Sequence, residues 1–474
     1  MAITKQLELE KASLPNMLPG QPYDRFGDKQ NSDFFEEYLL KIYDWRDKTG
    51  LTANFGRMSA VVVEVDPGLA KDYIAELSVM TMYSYVRSFE FGDYRYHLLR
   101  ICPDVPDMLV RESLSAGFDL IRAMSEFAVK AKEKPRTRYI GEIYEAHDYA
   151  QIFAELTKFD ARFVEAPSSL KSGNYVYWTE PSIYTWNAFG YRKPVKTGTY
   201  PEYDLDREFK FSEEELSLFA KMKSLQKELN VDKYILPYDH LATRVYSHDR
   251  EHAILELMRM SCYYYWGSFN IDDQNSSTNV TRPVHDFGFG QIQHHDEYGN
   301  AIILNKEAMS PAKVFTANNT PYYVNDFVNL PQPTEAFVRN FGRRMHHLAV
   351  SVRDGYFEEG QAIDGNSYLL NGVGELADDH KRTYKYVDFV VDQLRKAEKQ
   401  FLADVVGSCE EGLKQIFSKA SEYSFLITEY IQRCNEYAGF FTKNNVAALT
   451  AAAGMDESVQ KTAETQYAQS FKEA

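Results

Sequence analysis

The sequence lacks any long apolar run. No segment approaches the roughly 18 to 20 apolar residues with which a helix crosses a bilayer. The N-terminal residues, MAITKQLELEKASL, are polar and charged and contain no apolar stretch of the kind that forms a secretory signal. These absences argue against a membrane partner and predict a cytoplasmic protein.

Basic residues are also scarce, since 53 Lys and Arg stand against 69 Asp and Glu and give a formal net charge of −16. A chain with this charge repels the phosphate backbone of nucleic acids and the surface of anionic membranes. We therefore expect a small molecule as the partner, and no nucleic acid.

The four cysteines, Cys102, Cys262, Cys409 and Cys434, are scattered without any C-x-x-C pairing. This spacing argues against a zinc knuckle and predicts free thiols in a reducing compartment. The sequence also contains no glycine-rich phosphate loop, no serine nucleophile elbow and no Cys-His pairing. Nucleotide-binding and hydrolase classes are therefore disfavoured.

One internal repeat is present: DHLATRV (239–245) and HHLAVSV (346–352) share the pattern x-H-L-A-x-x-V. Such a repeat indicates a duplicated structural unit. Both copies alternate in the manner of strands, so each histidine shares a face with the alanine two residues later. The small alanine leaves room beside each histidine for a bound group.

Each copy of the repeat is followed by the same order of elements. A helix is predicted over 249–260 in the first copy and over 380–400 in the second. Strands are then predicted over 401–407, 413–418 and 425–433 in the second copy. The unit is βαβββ, and two such units facing each other form a half-barrel. We therefore predict an α+β fold built from paired βαβββ modules.

The N-terminal half carries a fainter version of this order and no H-L-A copy. A Pro-, Gly- and Tyr-rich stretch over 193–211 is predicted to connect the halves. Two tandem domains follow, 1–215 without a metal site and with an extended N-terminal arm, and 216–474 with the metal site and a C-terminal lid helix. The predicted elements of the first half are strands at 59–65, 139–144 and 175–178 and helices at 69–78 and 149–158.

Three residues are candidate metal ligands: His240, His347 and Glu429. Two imidazoles and one carboxylate on one side of a metal leave the other side open, as in oxygen-activating Fe(II) enzymes. Glu429 lies among apolar residues in the predicted strand 425–433, where an unpaired carboxylate is costly. A bound metal ion would compensate that cost.

Four motifs on these strands resemble the 4-hydroxyphenylpyruvate dioxygenase family of the vicinal oxygen chelate superfamily. The likeness extends from about residue 238 to 449 and, more weakly, over 139–189. The matching motifs are DH (239–240), HLA (347–349), EEGLKQIFSK (410–419) and EYIQR (429–433).

The resemblance implies a mononuclear Fe(II) dioxygenase with His240, His347 and Glu429 as ligands. It implies oxidative decarboxylation and hydroxylation of one aromatic 2-oxo acid by O₂, with no separate 2-oxoglutarate. The default substrate is 4-hydroxyphenylpyruvate and its product homogentisate, a step of tyrosine catabolism. There are two alternative functions. One is the same Fe(II) chemistry on a different, possibly larger substrate, and the other is a metal-free binding or scaffold protein of the same fold. A homodimer is also implied.

The family's substrate contacts can be carried over one position at a time. Gln332 and Asn305 match polar contacts of the substrate, Gln415 matches a polar wall residue, and Phe417 and Phe440 match aromatics that flank the ring. Asn444 matches the G-N position before the terminal helix.

The departures from the family concern the substrate pocket. His346 replaces a glutamine that precedes the second ligand, and the serine expected near Gly290 is absent. The hinge reads GFFTKNN (439–445), and the following helix (446–453) is rich in alanine, which predicts a wider pocket or a differently closed lid. An insertion is expected around 268–283.

Other histidines of the sequence offer alternative metal sites. His248 and His252 have helical i, i+4 spacing but no third ligand, and an exposed polar face is favoured. The HHD of 294–296 fits a cupin-type site, but the residues after it favour a hairpin turn. His346 is an alternative ligand to His347, and the Leu-Ala register favours His347 because alternation turns its neighbour to the other face.

Overall fold

The chain is described by a computed structural model. It covers residues 29–454 apart from 116, 118–119, 126–127, 166–171, 284–291, 296–300, 305–309, 322–330, 359–361, 364–365, 368–374, 377–381, 403, 436 and 438–439. The predictions for the N-terminal arm, Asn305 and Gly290 lie outside the described residues. The α-helices are α1 Lys29–Thr49, α2 Leu51–Asn54, α3 Ala70–Met80, α4 Leu120–Ser125, α5 Tyr149–Leu156, α6 Glu213–Glu228, α7 Arg250–Met260, α8 Pro333–Phe341, α9 Tyr386–Lys396 and α10 Lys443–Gly454.

The first eight strands form one mixed sheet in the order β6-β7-β5-β1-β4-β3-β2-β8. Strand β1 pairs parallel with β4, β5 pairs parallel with β7, and β1 and β5 are antiparallel at the junction. Each parallel pair closes one module, with α3 in the first and α5 in the second. The strands are β1 Phe55–Glu64, β2 Ser84–Phe91, β3 Tyr94–Arg100, β4 Asp107–Ser113, β5 Arg138–Ala146, β6 Tyr177–Trp178, β7 Ala188–Arg192 and β8 Arg207–Phe209.

The second half repeats this plan in an eight-stranded sheet with the order β10-β11-β14-β9-β15-β23-β22-β21. Smaller sheets are formed by β12 with β13, by β17 with β18, and by β16, β20 and β19. The strands are β9 Ile235–Arg244, β10 Tyr263–Ile271, β11 Ser276–Pro283, β12 Ile292–His295, β13 Ala301–Leu304, β14 Ala312–Ala317, β15 Arg344–Val352, β16 Tyr356–Glu358, β17 Ala362–Ile363, β18 Asn366–Ser367, β19 Glu375–Leu376, β20 Arg382–Lys385, β21 Val406–Ser408, β22 Leu413–Phe417 and β23 Ile427–Arg433.

The two H-L-A copies form the centre of the second sheet. Strands β9 and β15 pair antiparallel, each is parallel to the last strand of its own module, and α7 and α9 are the module helices. Helix α9 buries Val387, Val390, Val391 and Leu394, the spacing of one helical face. The predicted α+β fold of paired βαβββ modules is confirmed.

One predicted helix boundary was wrong. The helix expected over 380–400 begins only at Tyr386, because Arg382–Lys385 pairs as β20 with Phe357 and its neighbours. The insertion expected around 268–283 falls in the β10–β11 hairpin, whose second strand pairs with β14 inside the main sheet.

The two halves are joined by buried polar contacts. Lys313 on β14 forms an ion pair with Glu142 on β5, and both side chains are about 2% exposed. The guanidinium of Arg46 on α1 donates hydrogen bonds to the carbonyls of Met258 and Tyr263 at 2.8 and 2.6 Å. The sheets therefore share one continuous interior.

The prediction of four free thiols is wrong for two of them. Cys409 and Cys434 form a disulfide with a Cα–Cα distance of 5.2 Å, whereas Cys102 and Cys262 are free and buried. Cys409 follows β21 and Cys434 follows β23, and the strand pairing through β22 brings these two ends together. Among the described residues, no helix is both long and apolar enough to cross a bilayer.

Candidate metal centre

Three adjacent strands bring His240, His347 and Glu429 to one point on the inner face of the second sheet. The pairing is reciprocal, since His240 on β9 lies opposite Ala349 and His347 on β15 lies opposite Ala242. Glu429 on β23 lies beside Ala349. The alanine of each repeat thus makes room for the histidine of the other. All three side chains are buried.

The three ligand atoms form a nearly equilateral triangle. His240 Nε2 lies 3.2 Å from His347 Nε2, and each of these nitrogens lies 3.1 Å from Glu429 Oε2. With metal–ligand bonds of about 2.1 Å, ligands at right angles lie about 3.0 Å apart, and tetrahedral ligands about 3.4 Å. The triangle therefore fits a metal with three mutually adjacent protein ligands and an open opposite face.

A carboxylate orients the first histidine. His240 Nδ1–H donates to Asp239 Oδ1 at 2.8 Å, which leaves the Nε2 lone pair directed at the triangle. Asp239 is in turn held by Arg433, whose Nε and Nη2 donate to its two oxygens at 2.7 Å each. Arg433 also donates to the carbonyl of Phe440. A fixed chain of hydrogen bonds thus runs from the end of β23 to the metal site.

The second histidine, His347, is oriented by the imidazole of His346. His346 Nδ1 lies 2.7 Å from His347 Nδ1. Because His347 Nε2 faces the triangle, its Nδ1 carries the proton and donates to His346. Burial and the nearby Arg244 keep the pKa of His346 well below its usual range, so this residue is a neutral acceptor.

Strand alternation was expected to turn His346 to the other face of β15. His346 instead lines the cavity. His347 lies opposite Ala242 and Met345 opposite Thr243, so His346 is an extra residue on β15, a β-bulge. On β9, Asp239 is likewise the extra residue between Tyr238 and His240. Each histidine is thus oriented by the bulged residue that precedes it.

The electrostatics of the site favour a bound cation. Burial acts against charge in every group, but the Glu429 and Asp239 carboxylates raise the pKa of His240 to about 9. The two histidines lower the pKa of Glu429 to about 2, and burial lowers that of His347 to about 4. Without a metal, the site therefore holds a proton on His240. Glu429 Oε1 is buried without a hydrogen-bond partner.

The ligand triangle lies in the wall of a cavity, which His240, His347 and Glu429 all line. Helix α10 closes the cavity opposite the sheet, with Val446, Leu449 and Thr450 on its inner face. Their i, i+3, i+4 spacing is that of one helical face. The C-terminal helix is therefore positioned as a lid.

Some of the predicted substrate contacts lie in the cavity wall and others do not. His346, Gln415 and Phe417 line the cavity, and neither the Nε2 nor the Oε1 of the fully buried Gln415 has a hydrogen-bond partner among the described residues. Gln332 instead accepts from Arg339 at 2.9 Å at the start of α8. Asn444 is exposed and donates to Glu411.

The hinge before the lid places two phenylalanines beside His240. Phe441 lines the cavity, with its ring 5.1 Å from that of His240. The predicted contact Phe440 is not among the cavity-lining residues, and its ring lies against His240 and Trp266 at 5.8 Å. The φ of Phe440 is +42°, an unfavourable conformation for a bulky residue.

Sequence reasoning missed Arg244, a buried cavity residue. A signal for it was present, since residues 240, 242 and 244 of a strand share one face. Phe441 was missed because the direction of an irregular hinge cannot be read from alternation.

Neither rival site is assembled among the described residues, and Asp296 lies outside them. His248 is 58% exposed at its side chain, and the ring of His252 stacks on Tyr184 at 5.1 Å. Strand β12 pairs with β13 as the hairpin that was favoured over a cupin site. Within the part of the chain that the structure describes, His240, His347 and Glu429 are the one group of three that could hold a metal ion.

A second polar cluster lies in the first sheet. Ser88 Oγ is 2.7 Å from His97 Nδ1, and His97 Nε2 is 3.2 Å from Glu112 Oε2, the order of a serine-histidine-acid relay. Ser88 is only 2% exposed, and the ring of Phe211 stacks on His97 at 4.8 Å. A substrate has no access to this serine, so the cluster carries no catalytic assignment.

The fold and the site together define a protein of tandem paired βαβββ modules in which, among the described residues, one group of two histidines and one carboxylate could hold a metal ion. No protein-family model and no curated protein matches the chain. Among solved structures, a triple mutant of 4-hydroxymandelate synthase from Streptomyces coelicolor is similar, at 15% identity and a TM-score of 0.46, covering 85% of this chain and 99% of that one.

Two further solved structures resemble the chain. One is a xylose isomerase-like TIM barrel/4-hydroxyphenylpyruvate dioxygenase fusion protein, at 10% identity and a TM-score of 0.43, covering 89% of this chain and 58% of the fusion. The other is a Mn(II)-bound glyoxalase from Novosphingobium aromaticivorans, at 8% identity and a TM-score of 0.37, covering 80% of this chain and 82% of that one. At these values the fold assignment rests on strand order and pairing.

Proposed function

We propose that the protein is a mononuclear non-haem Fe(II) dioxygenase that acts on a 2-oxo acid. The observation that carries this proposal is the buried triangle of His240 Nε2, His347 Nε2 and Glu429 Oε2, with sides of 3.1 to 3.2 Å. Two imidazoles, one carboxylate and an open face are the ligand set of oxygen-activating Fe(II) sites. When bound, Fe(II) would supply the site at which a 2-oxo acid and O₂ react.

The chain's own residues would prepare this chemistry. Asp239 and His346 hold the Nδ1 protons of the two histidines and so keep both Nε2 lone pairs available. Phe417 and Phe441 flank the ligands with apolar surface, and the lid residues Val446 and Leu449 cover the cavity and exclude water. The unpartnered amide of Gln415 would bind a polar group of the substrate.

Anaerobic titration tests the proposal. We expect one Fe(II) per chain, a visible metal-to-keto charge-transfer band on addition of a 2-oxo acid, and CO₂ release on admission of O₂. The Glu429→Ala variant should lose all three signals. The control variant Glu411→Ala removes a carboxylate that accepts a hydrogen bond from Asn444 and does not line the cavity, and it should keep all three signals. Failure to bind iron, or normal turnover in Glu429→Ala, would sink the proposal and favour a metal-free scaffold.

The substrate is the second element of the proposal. 4-Hydroxyphenylpyruvate is the reference compound of the panel, with homogentisate as its expected product. The wall next to the site contains a buried arginine, which favours the alternative of the same Fe(II) chemistry on a different 2-oxo acid. Mass spectrometry of the product distinguishes the two.

A further inference from the structure

The cavity has two chemically different ends. Two neighbouring strands, β9 and β14, place residues at matching levels, because Ala312 pairs with His240, Val314 with Ala242, and Thr316 with Arg244. Moving along β9 from the ligand His240, the wall is first apolar and then polar. Four residues along a strand correspond to about 13 Å between Cα atoms, so Arg244 lies well beyond the level of His240. The second ligand, His347, pairs with Ala242 and lies only two residues, about 7 Å along the strand, from the level of Arg244.

The polar end is a row across three strands. Thr316 on β14 lies between Arg244 on β9 and Thr278 on β11, since Thr316 pairs with both. All three side chains line the cavity. The row therefore offers a guanidinium and two hydroxyl groups to whatever occupies this end.

Arg244 is buried without a carboxylate partner among the described residues. It is 6% exposed, and within the same part of the chain its one side-chain hydrogen bond is a long donation of 3.5 Å to the carbonyl of Pro333. Its guanidinium also lies 5.1 Å from the ring of Phe337. Burying a guanidinium without a counter-charge is costly, and a ligand carboxylate in the cavity would offset that cost.

Two other arginines of this sheet are not equivalent to Arg244. Arg344 pairs with Arg244 in the β9–β15 ladder, and its three guanidinium nitrogens are buried without hydrogen bonds to any described residue, but it is not among the residues that line the cavity. Arg433 is committed to Asp239. Arg244 is therefore the guanidinium that a cavity ligand would meet.

From this arrangement we infer that the substrate is a 2-oxo acid with a second carboxylate, which Arg244 binds at the polar end of the cavity, four residues along β9 from His240. The inference rests on the proposed function. The 2-oxo acid group of the substrate lies at the ligand triangle, and the middle of the molecule lies against Ala242 and Val314. The distal carboxylate accepts hydrogen bonds from Arg244, and Thr316 and Thr278 lie beside it. Planar bidentate binding of a carboxylate is the geometry that a guanidinium favours.

The test measures binding and not turnover. Zn(II)-loaded protein is titrated calorimetrically with two matched pairs, 2-oxoadipate against 2-oxohexanoate and 4-carboxyphenylpyruvate against 4-methylphenylpyruvate. In at least one pair the dicarboxylate should bind about tenfold to a hundredfold more tightly, as expected for a charged hydrogen-bonded group. Arg244→Gln should abolish this preference, while affinity for the monocarboxylate and for Zn(II) stays within about threefold.

Arg339→Gln is the matched control, because it removes a guanidinium near α8 that is bonded to Gln332 outside the cavity lining. It should keep the preference, and Arg244→Lys should keep part of it. If neither pair shows a preference, or if the preference survives in Arg244→Gln, the inference is overturned. These outcomes differ from failure of the proposed function, in which the metal itself does not bind or no 2-oxo acid gives CO₂.

Discussion

Arg433 and Asp239 are joined by two parallel hydrogen bonds of 2.7 Å, although they lie 194 residues apart in the chain. This pair connects β23, the last strand of one module, to β9, the strand of the other module that carries His240. The pKa of Asp239 is held well below its usual range: burial opposes the charge, but Arg433 and His240 outweigh it. The carboxylate that orients His240 is therefore ionised throughout the physiological pH range.

Replacing Arg433 with lysine should weaken metal binding, because a single ammonium group cannot hold both oxygens of Asp239. We expect Fe(II) or Zn(II) affinity to fall about tenfold to a hundredfold, the usual cost of losing a partner that orients a ligand. Competition with a chromophoric chelator measures it. Arg395→Lys, at an exposed ion pair with Asp404, is the control. Equal affinities in both variants would contradict the assigned role.

His346 should act on the metal through His347. His346→Ala removes the acceptor of the His347 Nδ1 proton, so metal affinity should fall by about tenfold. His346→Gln supplies an amide oxygen at this position and should recover most of the loss. A spectroscopic readout on Co(II)-loaded protein, sensitive to ligand geometry, should follow the same order. The assignment fails if both variants lose affinity equally.

Metal binding should release about one proton at pH 7. The pKa of His240 is about 9, so this residue is protonated in the metal-free site, whereas His347, with a pKa of about 4, is neutral and Glu429, with a pKa of about 2, is ionised. Affinity should therefore rise about tenfold per pH unit between pH 4 and 9 and level off above. Calorimetry in buffers of different ionisation enthalpy counts the proton. A pH-independent affinity between pH 6 and 8 would exclude this protonation scheme.

The ion pair between the two sheets should dominate the stability of their junction. Lys313→Met leaves Glu142 buried without its counter-charge, which costs about 3 to 5 kcal/mol in the free energy of unfolding. Adding Glu142→Gln should restore much of the loss. Lys158→Met, at a surface pair with Glu155, should cost about 0.5 kcal/mol or less. Urea denaturation compares the variants, and equal losses for Lys313 and Lys158 would contradict the argument.

The fold was predictable because its signal is repeated. The H-L-A copies at His240 and His347, each with a helix and three strands after it, carry the module pattern twice, and the structure pairs them in the centre of one sheet. On β9 the same alternation, followed from His240 and Ala242 to the next residue on that face, places Arg244 in the cavity wall. The prediction that these ligands bind Fe(II) remains a proposal.

Other features depend on the register in which the strands pair, which cannot be predicted from the sequence pattern. His346 enters the cavity wall only because a bulge interrupts the alternation on β15. Cys409 and Cys434 meet because β21, β22 and β23 pair with a specific offset, although their spacing of 25 residues resembles no disulfide motif. Gln332 and Asn444 were matched to family positions, and their local hydrogen bonds to Arg339 and Glu411 could not be foreseen.

The paired bulges have a consequence for how such a site changes over time. Met345 and His347 keep their partners across the ladder, so the added residue between them does not shift the histidine that follows. A single-codon insertion at this point in an ancestral strand would introduce a new side chain next to a ligand and leave the ligand where it was. The aspartate at one bulge and the histidine at the other thus occupy equivalent positions of the two repeats, and each contacts the ring of the histidine that follows it without displacing that histidine from the ladder.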